Sequence, residues 1–362
     1  MVSAVCDISE RGRREAAEVL PETLVTDRLD ELLAAGLDGV LVTTPDDQHA
    51  APAIAALRAG VPVFCEKPLA ISIEDCDAIL ATAYQTGTRL YVGHNMRHMP
   101  VITQLRDLIS EGRIGEVVAI WCRHFVGHGG DYYFRDWHAD RRRSGSLLLQ
   151  KGAHDLDVIH WLAGGYTDRV AAMGGLKVYG SITDRQDRSD QRMGDWFSLD
   201  NWPPSSLTGL NPVVDVEDIS MMIMNLDNGV LASYQQCHFT PDYWRNYTVI
   251  GTRGRIENIG DSPGSRIHLW DRRHRGYADP DEVFTVGGSE GGHGGADPAL
   301  VGEFLRFVVR GGRTQTSPIA ARQAVAAGIT ATRSLRGDGS ALPVPPLPAD
   351  LLDYFEAGQQ SP

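Results

Sequence analysis

Apolar residues in the first hundred positions come in short unbroken runs, VSAVCD (2–7), GVLVTT (39–44), VPVFCE (61–66) and RLYVG (89–93). Each run is too short for a helix and rich in Val, Leu and Phe, which predicts buried parallel strands. Between two of them Ala50, Ala53, Ile54 and Leu57 recur at helical spacing over 47–59, and Gly60 supplies the stop. Parallel neighbours need helical crossovers, so this alternation specifies a doubly wound α/β sheet.

The rhythm changes after Pro100. One more helix, about 101–111, leads through Gly112 and Gly115 into strand-like stretches that follow one another at 116–126, 167–179, 214–226, 229–239, 245–251, 266–271 and 282–286. Asp227-Asn228-Gly229 is a hairpin signal, because Asn and Gly tolerate the positive φ of a tight turn. These stretches predict an α+β domain with a largely antiparallel open sheet. The expected division is a dinucleotide-binding domain over 1–112 and a substrate-binding and oligomerisation domain over 113–350. Residues 181–212 read as a long loop, and helical patterns return at 298–310 and 319–335.

At 362 residues the chain is long enough for two cores. Its net charge of -13 repels phosphate backbones and anionic lipid, which argues against nucleic acid and membrane partners. The basic cluster Arg141 to Arg143 lacks an aromatic stacking ladder and reads as a local anion contact or a solvated loop. Five scattered cysteines without a CxxC pair fit a reducing cytoplasm.

Chemistry is expected at the carboxyl ends of the parallel strands, where open α/β sheets bind ligands. Asp7 ends the first run and can accept hydrogen bonds from a ribose diol, or simply serve the start of a helix. Thr43, Thr44, Pro45 and Asp46 follow the second run, with His49 one turn into the next helix, and offer hydroxyls and backbone N–H groups to a polar ligand. Glu66-Lys67-Pro68 follows the third. An ammonium there either polarises a substrate hydroxyl or makes a surface salt bridge with Glu66. The stretch GGSEGGHGGAD (287–297) lacks the Lys-Ser/Thr of a phosphate loop and reads as a flexible loop whose His293 lines the cleft. His94 with His98 and His124 with His128 have four-residue spacing but no third metal ligand nearby, so no metal site is expected.

The run LVTTPDDQHAAPAIAALRAGVPVFCEKPLAIS, then YVGHNMRHMP, and later SGSLLLQKGAHDLDVIHWL (144–162) resemble the Gfo/Idh/MocA family of NAD(P)-dependent oxidoreductases over nearly the whole chain. The EKP tripeptide after a strand and HDxD at a helix start are specific together, where either alone is weak. The resemblance implies that Lys67 stands between the nicotinamide ribose and the reacting carbon. It implies that His154 is the general base, with Arg97 on substrate or cofactor, Asn95 in the same loop and Trp137 near the nicotinamide. Asp157, one turn after His154, would orient it or cap a backbone group. Many members carry an aspartate four residues before the histidine. Here Gln150 stands there, followed by Lys151, and an amide cannot take a proton, so acid–base work falls to His154 and Lys67.

The expected function is hydride transfer between NAD, or NADP, and a hydroxyl carbon of a sugar, sugar derivative or cyclitol. Asp7 favours NAD, while Arg11, Arg13 and Arg14 leave NADP open. The alternatives are an NAD-dependent glycoside-cleaving enzyme of the same family and a non-catalytic ligand-binding relative. Family members begin with a strand and a GxGxxG turn, whereas Met1 falls at the second strand, so the expected sheet is Rossmann-like without its first strand. About 30 further residues are expected ahead of it, and the sequence as it stands is expected to bind cofactor weakly. A homodimer or homotetramer through the second domain's sheet is also expected.

Overall fold

The computed structural model describes residues 1–198, 200–288 and 292–359. Five short parallel strands build the first domain in two ladders. Strand β1 (Ala4–Cys6) pairs with β2 (Leu24–Thr26), and β3 (Val40–Val42), β4 (Val63–Cys65) and β5 (Leu90–Val92) pair in that order. The two ladders share no hydrogen-bonded strand pair among the described residues. Every residue of β4 and β5 is buried, as a continuous apolar run demands in a sheet covered on both faces. The sequence pattern misses β2, three residues long with Leu24 exposed, because so little of it is buried.

The second domain is one nine-stranded sheet. In chain order its strands are β6 (Val117–Phe125), β7 (Thr167–Gly175), β8 (Ile219–Leu226), β9 (Leu231–Cys237), β10 (Trp244–Gly251), β11 (Arg255–Ile259), β12 (Arg266–Trp270), β13 (Glu282–Thr285) and β14 (Leu342–Pro343). Their spatial order is β13-β12-β11-β10-β6-β9-β8-β7-β14, antiparallel throughout except for the parallel pair β6–β9. Strands β8 and β9 meet at the expected Asp227-Asn228-Gly229 turn, where Gly229 takes φ +84°. Strand β11 is a strand that the apolar pattern did not single out.

Burial alternates residue by residue along β8, so one face of the sheet is core and the other is exposed. Helix Gly152–Ala163 lies on the core face with all but two of its residues buried. Its Leu156, Val158 and Ile159 pack with Met222 and Met224 of the sheet and with Ala324 and Ala327 of helix Pro318–Arg336. Each such buried Leu or Ile contributes roughly 1.5–3 kcal/mol. Gly152 permits the close approach, since a Cβ there would stand 3.2 Å from the Tyr234 ring.

Helix Pro100–Ser110 lies ahead of the expected boundary, yet its Val101, Ile102, Leu105 and Leu108 belong to the second core. At the other end Leu351, Tyr354 and Phe355 return to the first core, and the Gln359 amide closes two hydrogen bonds with the main chain of Leu90, 2.8 and 2.7 Å. Segment 181–212 is held by local turns and by Arg192, whose Nε lies 3.0 Å from Glu15 on the first domain's helix Glu10–Val19. Positions 289–291 of the glycine-rich stretch lie outside the described residues.

Candidate active site

Parallel strands put their carboxyl ends on one side, so the loops after β3, β4 and β5 share a rim. Helix Gly152–Ala163 brings its first turn to that rim. The Lys67 ammonium, just past β4, donates to the main-chain carbonyl of Gln150 at 3.3 Å, within one helical turn of His154. The Glu66–Lys67 salt bridge weighed from sequence is not formed: Glu66 Oε2 instead accepts the Lys67 backbone N–H at 3.1 Å. Burial lowers the Lys67 pKa, and the nearby Asp46 carboxyl opposes that shift.

His154 is buried and its Nδ1 has no hydrogen-bond partner among the described residues. Burial first, then the charges of Lys67 and Lys151, holds its pKa well below the ordinary imidazole value, so the ring is neutral with a free lone pair. The His293 ring lies 6.4 Å from it, tilted, on the same cleft. His293 Nδ1 also meets Asn95 Nδ2 at 3.1 Å and Asp297 Oδ2 at 3.2 Å. Asn95 Nδ2 donates to Asp297 Oδ1 as well, and Asn95 Oδ1 stays buried and unpartnered.

Several expected contacts have structural duties instead. The Arg97 guanidinium donates to both Asp157 oxygens at 2.8 and 2.7 Å and to the Gln315 carbonyl at 2.8 Å, with the Trp161 ring 5.3 Å away. Its nitrogens are therefore taken, and it braces the loop after β5 rather than reaching a substrate. Asp157, which also has His94 Nδ1 at 3.3 Å, serves Arg97 and does not orient His154. His49 is likewise removed from cofactor contact: its buried ring lies between the carbonyls of Pro68 and Thr44, each 2.7 Å from a ring nitrogen, and since burial lowers its pKa the neutral ring donates to one of them. Thr44 Oγ1 donates to the Gln48 carbonyl, while Thr43 is exposed and Pro45 precedes the short turn Asp46–Gln48.

At β1, Asp7 Oδ1 accepts from the backbone N–H and hydroxyl of Ser9, both at 2.7 Å, and Ser9 in turn caps helix Glu10–Val19. Asp7 Oδ2 lies over Gly12, where a Cβ would stand 2.1 Å from it. Trp137 is half-buried, stacked on His138 with centroids 3.8 Å apart and with the Arg143 guanidinium 5.7 Å from its ring. The basic cluster is paired: Arg141 with Asp215, Arg142 with Asp140 and Arg143 with Asp47.

Sequence reasoning named Asp46 only as part of the polar cluster after β3, and it missed Tyr133 and the role of Asp155. Asp46 is buried with Oδ2 unpartnered, beside the Gln150 side chain, and burial pushes its carboxyl up to about 7 against the pull of Lys67. Tyr133 lies under the Lys151 ammonium, 5.8 Å from ring centroid to nitrogen. Asp155 is fully buried, accepts from His124 Nδ1 (3.0 Å), Tyr234 hydroxyl (3.0 Å) and Tyr247 hydroxyl, and forms an ion pair with Arg245, whose Nε is 3.1 Å away. These partners hold its carboxyl far below the usual range and fix the helix directly beneath His154. The HDxD spacing hinted at Asp155, but its partners come from three separate strands.

Known proteins were compared with this arrangement in hand. A family model described as an oxidoreductase family with an NAD-binding Rossmann fold matches residues 1–94, and one described as the GFO/IDH/MocA C-terminal domain matches residues 102–257. The 2,7-anhydro-N-acetylneuraminate hydratase of Mediterraneibacter gnavus is 33% identical over 201 residues, 52% of each chain. Inositol 2-dehydrogenase 1 of Saccharopolyspora erythraea is 34% identical over 164 residues, 44% of this chain and 46% of that one. The chain thus spans about half the length of these two curated relatives. A solved levoglucosan dehydrogenase in complex with NADH and levoglucosan superimposes with a TM-score of 0.77 at 19% identity, covering 95% of this chain and 90% of that one.

Proposed function

Because the chain belongs to the Gfo/Idh/MocA family of oxidoreductases, we propose that it transfers a hydride between NAD, or NADP, and a hydroxyl carbon of a sugar, sugar derivative or cyclitol. The observation that carries this reading is the meeting of Lys67 and His154: the ammonium is bonded to the Gln150 carbonyl at the mouth of the very helix that bears the imidazole. In the oxidative direction Lys67 holds the hydroxyl oxygen and stabilises the negative charge that develops there. The neutral His154 ring takes the hydroxyl proton as the carbon gives up its hydride.

Bound nicotinamide supplies the hydride acceptor. The chain suits its reactive end through the buried, unpartnered Asn95 Oδ1 beside the cleft and through Lys67, and Asp7 suits a ribose diol in the position that would repel a 2′-phosphate. On this reading Thr43, Pro45, Glu66 and Trp137 belong to the cofactor side, and Gln150 and Lys151 to the substrate side. A panel of sugars and inositols followed by NADH formation, with Lys67→Ala and His154→Ala as controls, tests the reading. Absence of NADH formation across the panel, or turnover undiminished in both variants, would refute it. Substrate consumption at constant NADH would point to the glycoside-cleaving alternative.

The outer face of the second sheet supports self-association. Trp121, Met173, Ile223 and Leu231 stand on it as a contiguous apolar patch, with Ile223 66% and Leu231 58% exposed, and monomers rarely leave such a patch in water. A homodimer or homotetramer through this face buries it.

A further inference from the structure

Lys151 takes no part in the hydride-transfer step itself, and the reading leaves open what its charge on the substrate side meets. It immediately precedes helix Gly152–Ala163, three residues before His154, so both side chains lie on one face of that helix. Its ammonium rests against the Tyr133 ring and makes no ion pair among the described residues. Other cations nearby are matched. Arg245 has Asp155 at 3.1 Å and Asp261 at 3.6 Å, and Lys67 has the Gln150 carbonyl. Asp155 is in turn engaged by His124 and two tyrosines.

Lys151 is half-buried in the free protein, and covering its ammonium with bound substrate without supplying a counter-ion is costly. Burial and Arg245 pull the Lys151 pKa down to about 8, so the group is still charged near pH 7. The carboxyl that acts most strongly on Lys67, Asp46, is itself pushed up to about 7 and only partly ionised. Glu66 and Asp297 lie on the Lys67 and Asn95 side of the cleft, while the carboxylates that act on Lys151, Asp155 and Asp261, are engaged by Arg245. A neutral polyol would leave Lys151 buried beneath it and unmatched. A carboxylate would give it a charge-assisted hydrogen bond.

We propose that the substrate is an acidic polyol, a sugar or cyclitol derivative bearing a carboxylate that Lys151 engages while Lys67 and His154 hold the reacting carbinol. This rests on the hydride-transfer reading of the same cleft and adds the charge of the substrate to it.

The test compares neutral and acidic members of matched pairs, D-glucose with D-glucuronate and D-galactose with D-galacturonate, in the wild-type protein and in Lys151→Met and Lys151→Arg. Methionine is similar in length and uncharged, so it relieves the burial cost and should not hinder folding. Wild type should use at least one acid about tenfold or more better than its neutral partner. Lys151→Met should erase that preference through a KM for the acid raised about tenfold or more, with a smaller change in kcat, and Lys151→Arg should keep part of it. Binding is read separately from turnover: millimolar uronate should raise the melting temperature of wild type but not of Lys151→Met. Equal or better use of the neutral sugars overturns the inference and leaves hydride transfer standing. So does an equal loss for both members of a pair in Lys151→Met. If uronates protect wild type but no member of any pair forms NADH, the substrate charge stands and the redox reading falls. If no uronate protects the wild-type protein, the inference falls whether or not NADH is formed.

Discussion

The Lys67 ammonium bonds to the main-chain carbonyl of Gln150 at 3.3 Å, which ties the loop after β4 to the turn that opens the His154 helix. Because the acceptor is backbone, this bond does not depend on the side chain at position 150. The Gln150 amide lies against the Asp46 carboxyl, a hydrogen bond that favours the carboxylate, while its Oε1 is buried without a partner among the described residues.

Removal of either chemical group should therefore damage turnover more than binding. Lys67→Ala and His154→Ala are each expected to lower kcat by about 10²–10⁴-fold. Burial holds the His154 pKa well below the ordinary imidazole value, so the wild-type oxidation rate should show no acid limb near pH 6.5. A pH–rate profile with a clear inflection there would count against the burial-driven depression.

Asp46 should show its environment in stability. Its pKa rises on folding from the ordinary carboxyl value of 3.8 to about 7, so the folded state binds the proton more tightly. Stability from this group is complete below the unfolded value and is lost as pH rises through the folded one. Asp46→Asn removes that loss, so it should raise the melting temperature at pH 8 more than at pH 4. The ceiling is about 4 kcal/mol, reduced by the forfeited attraction to Lys67. Equal shifts at the two pH values would contradict the assignment.

Asp155 is the anchor beneath the catalytic turn. Asp155→Ala strands Arg245 and leaves three further donors without their acceptor, a cost of about 3–5 kcal/mol. Urea unfolding should show a lower midpoint of that size. A variant with unchanged midpoint and selectively raised KM would instead place Asp155 at the substrate.

Arg97 separates bracing from binding. With its nitrogens on Asp157 and Gln315, Arg97→Ala should destabilise the protein by about 3–5 kcal/mol through the unpaired buried Asp157. The comparison to make is denaturation against KM. An intact melting curve with a large KM increase would return Arg97 to the substrate.

Sedimentation velocity addresses the apolar face. Ile223→Glu with Leu231→Lys should shift the protein toward monomer while leaving the melting curve of the protomer nearly intact, because both side chains are exposed on the protomer. A wild-type protein that already sediments as a monomer at micromolar concentration would remove the self-association proposal.

Fold class was legible along the chain because burial imposes its period locally. Strands β4 and β5, covered on both faces, must be apolar at every position, and β8 must alternate. The β8–β9 turn announced itself through residues that tolerate positive φ. Lys67 and His154 were legible for a related reason: each sits at a fixed offset from a strand end or helix start, so its place follows from the element that carries it.

What the chain order could not decide was partnership. Arg97 and Asp157 lie 60 positions apart, and Asp155 meets Tyr247 from 92 positions away. An isolated arginine or histidine has the same appearance in sequence whether it faces a ligand or another side chain. Docking of helix Gly152–Ala163 gave Arg97 its Asp157 partner, packing of the β3 loop on the β4 loop set the His49 ring between two carbonyls, and burial raised the Asp46 pKa. Hydrogen bonds and desolvation act over a few ångströms of space, and sequence separation does not measure that distance.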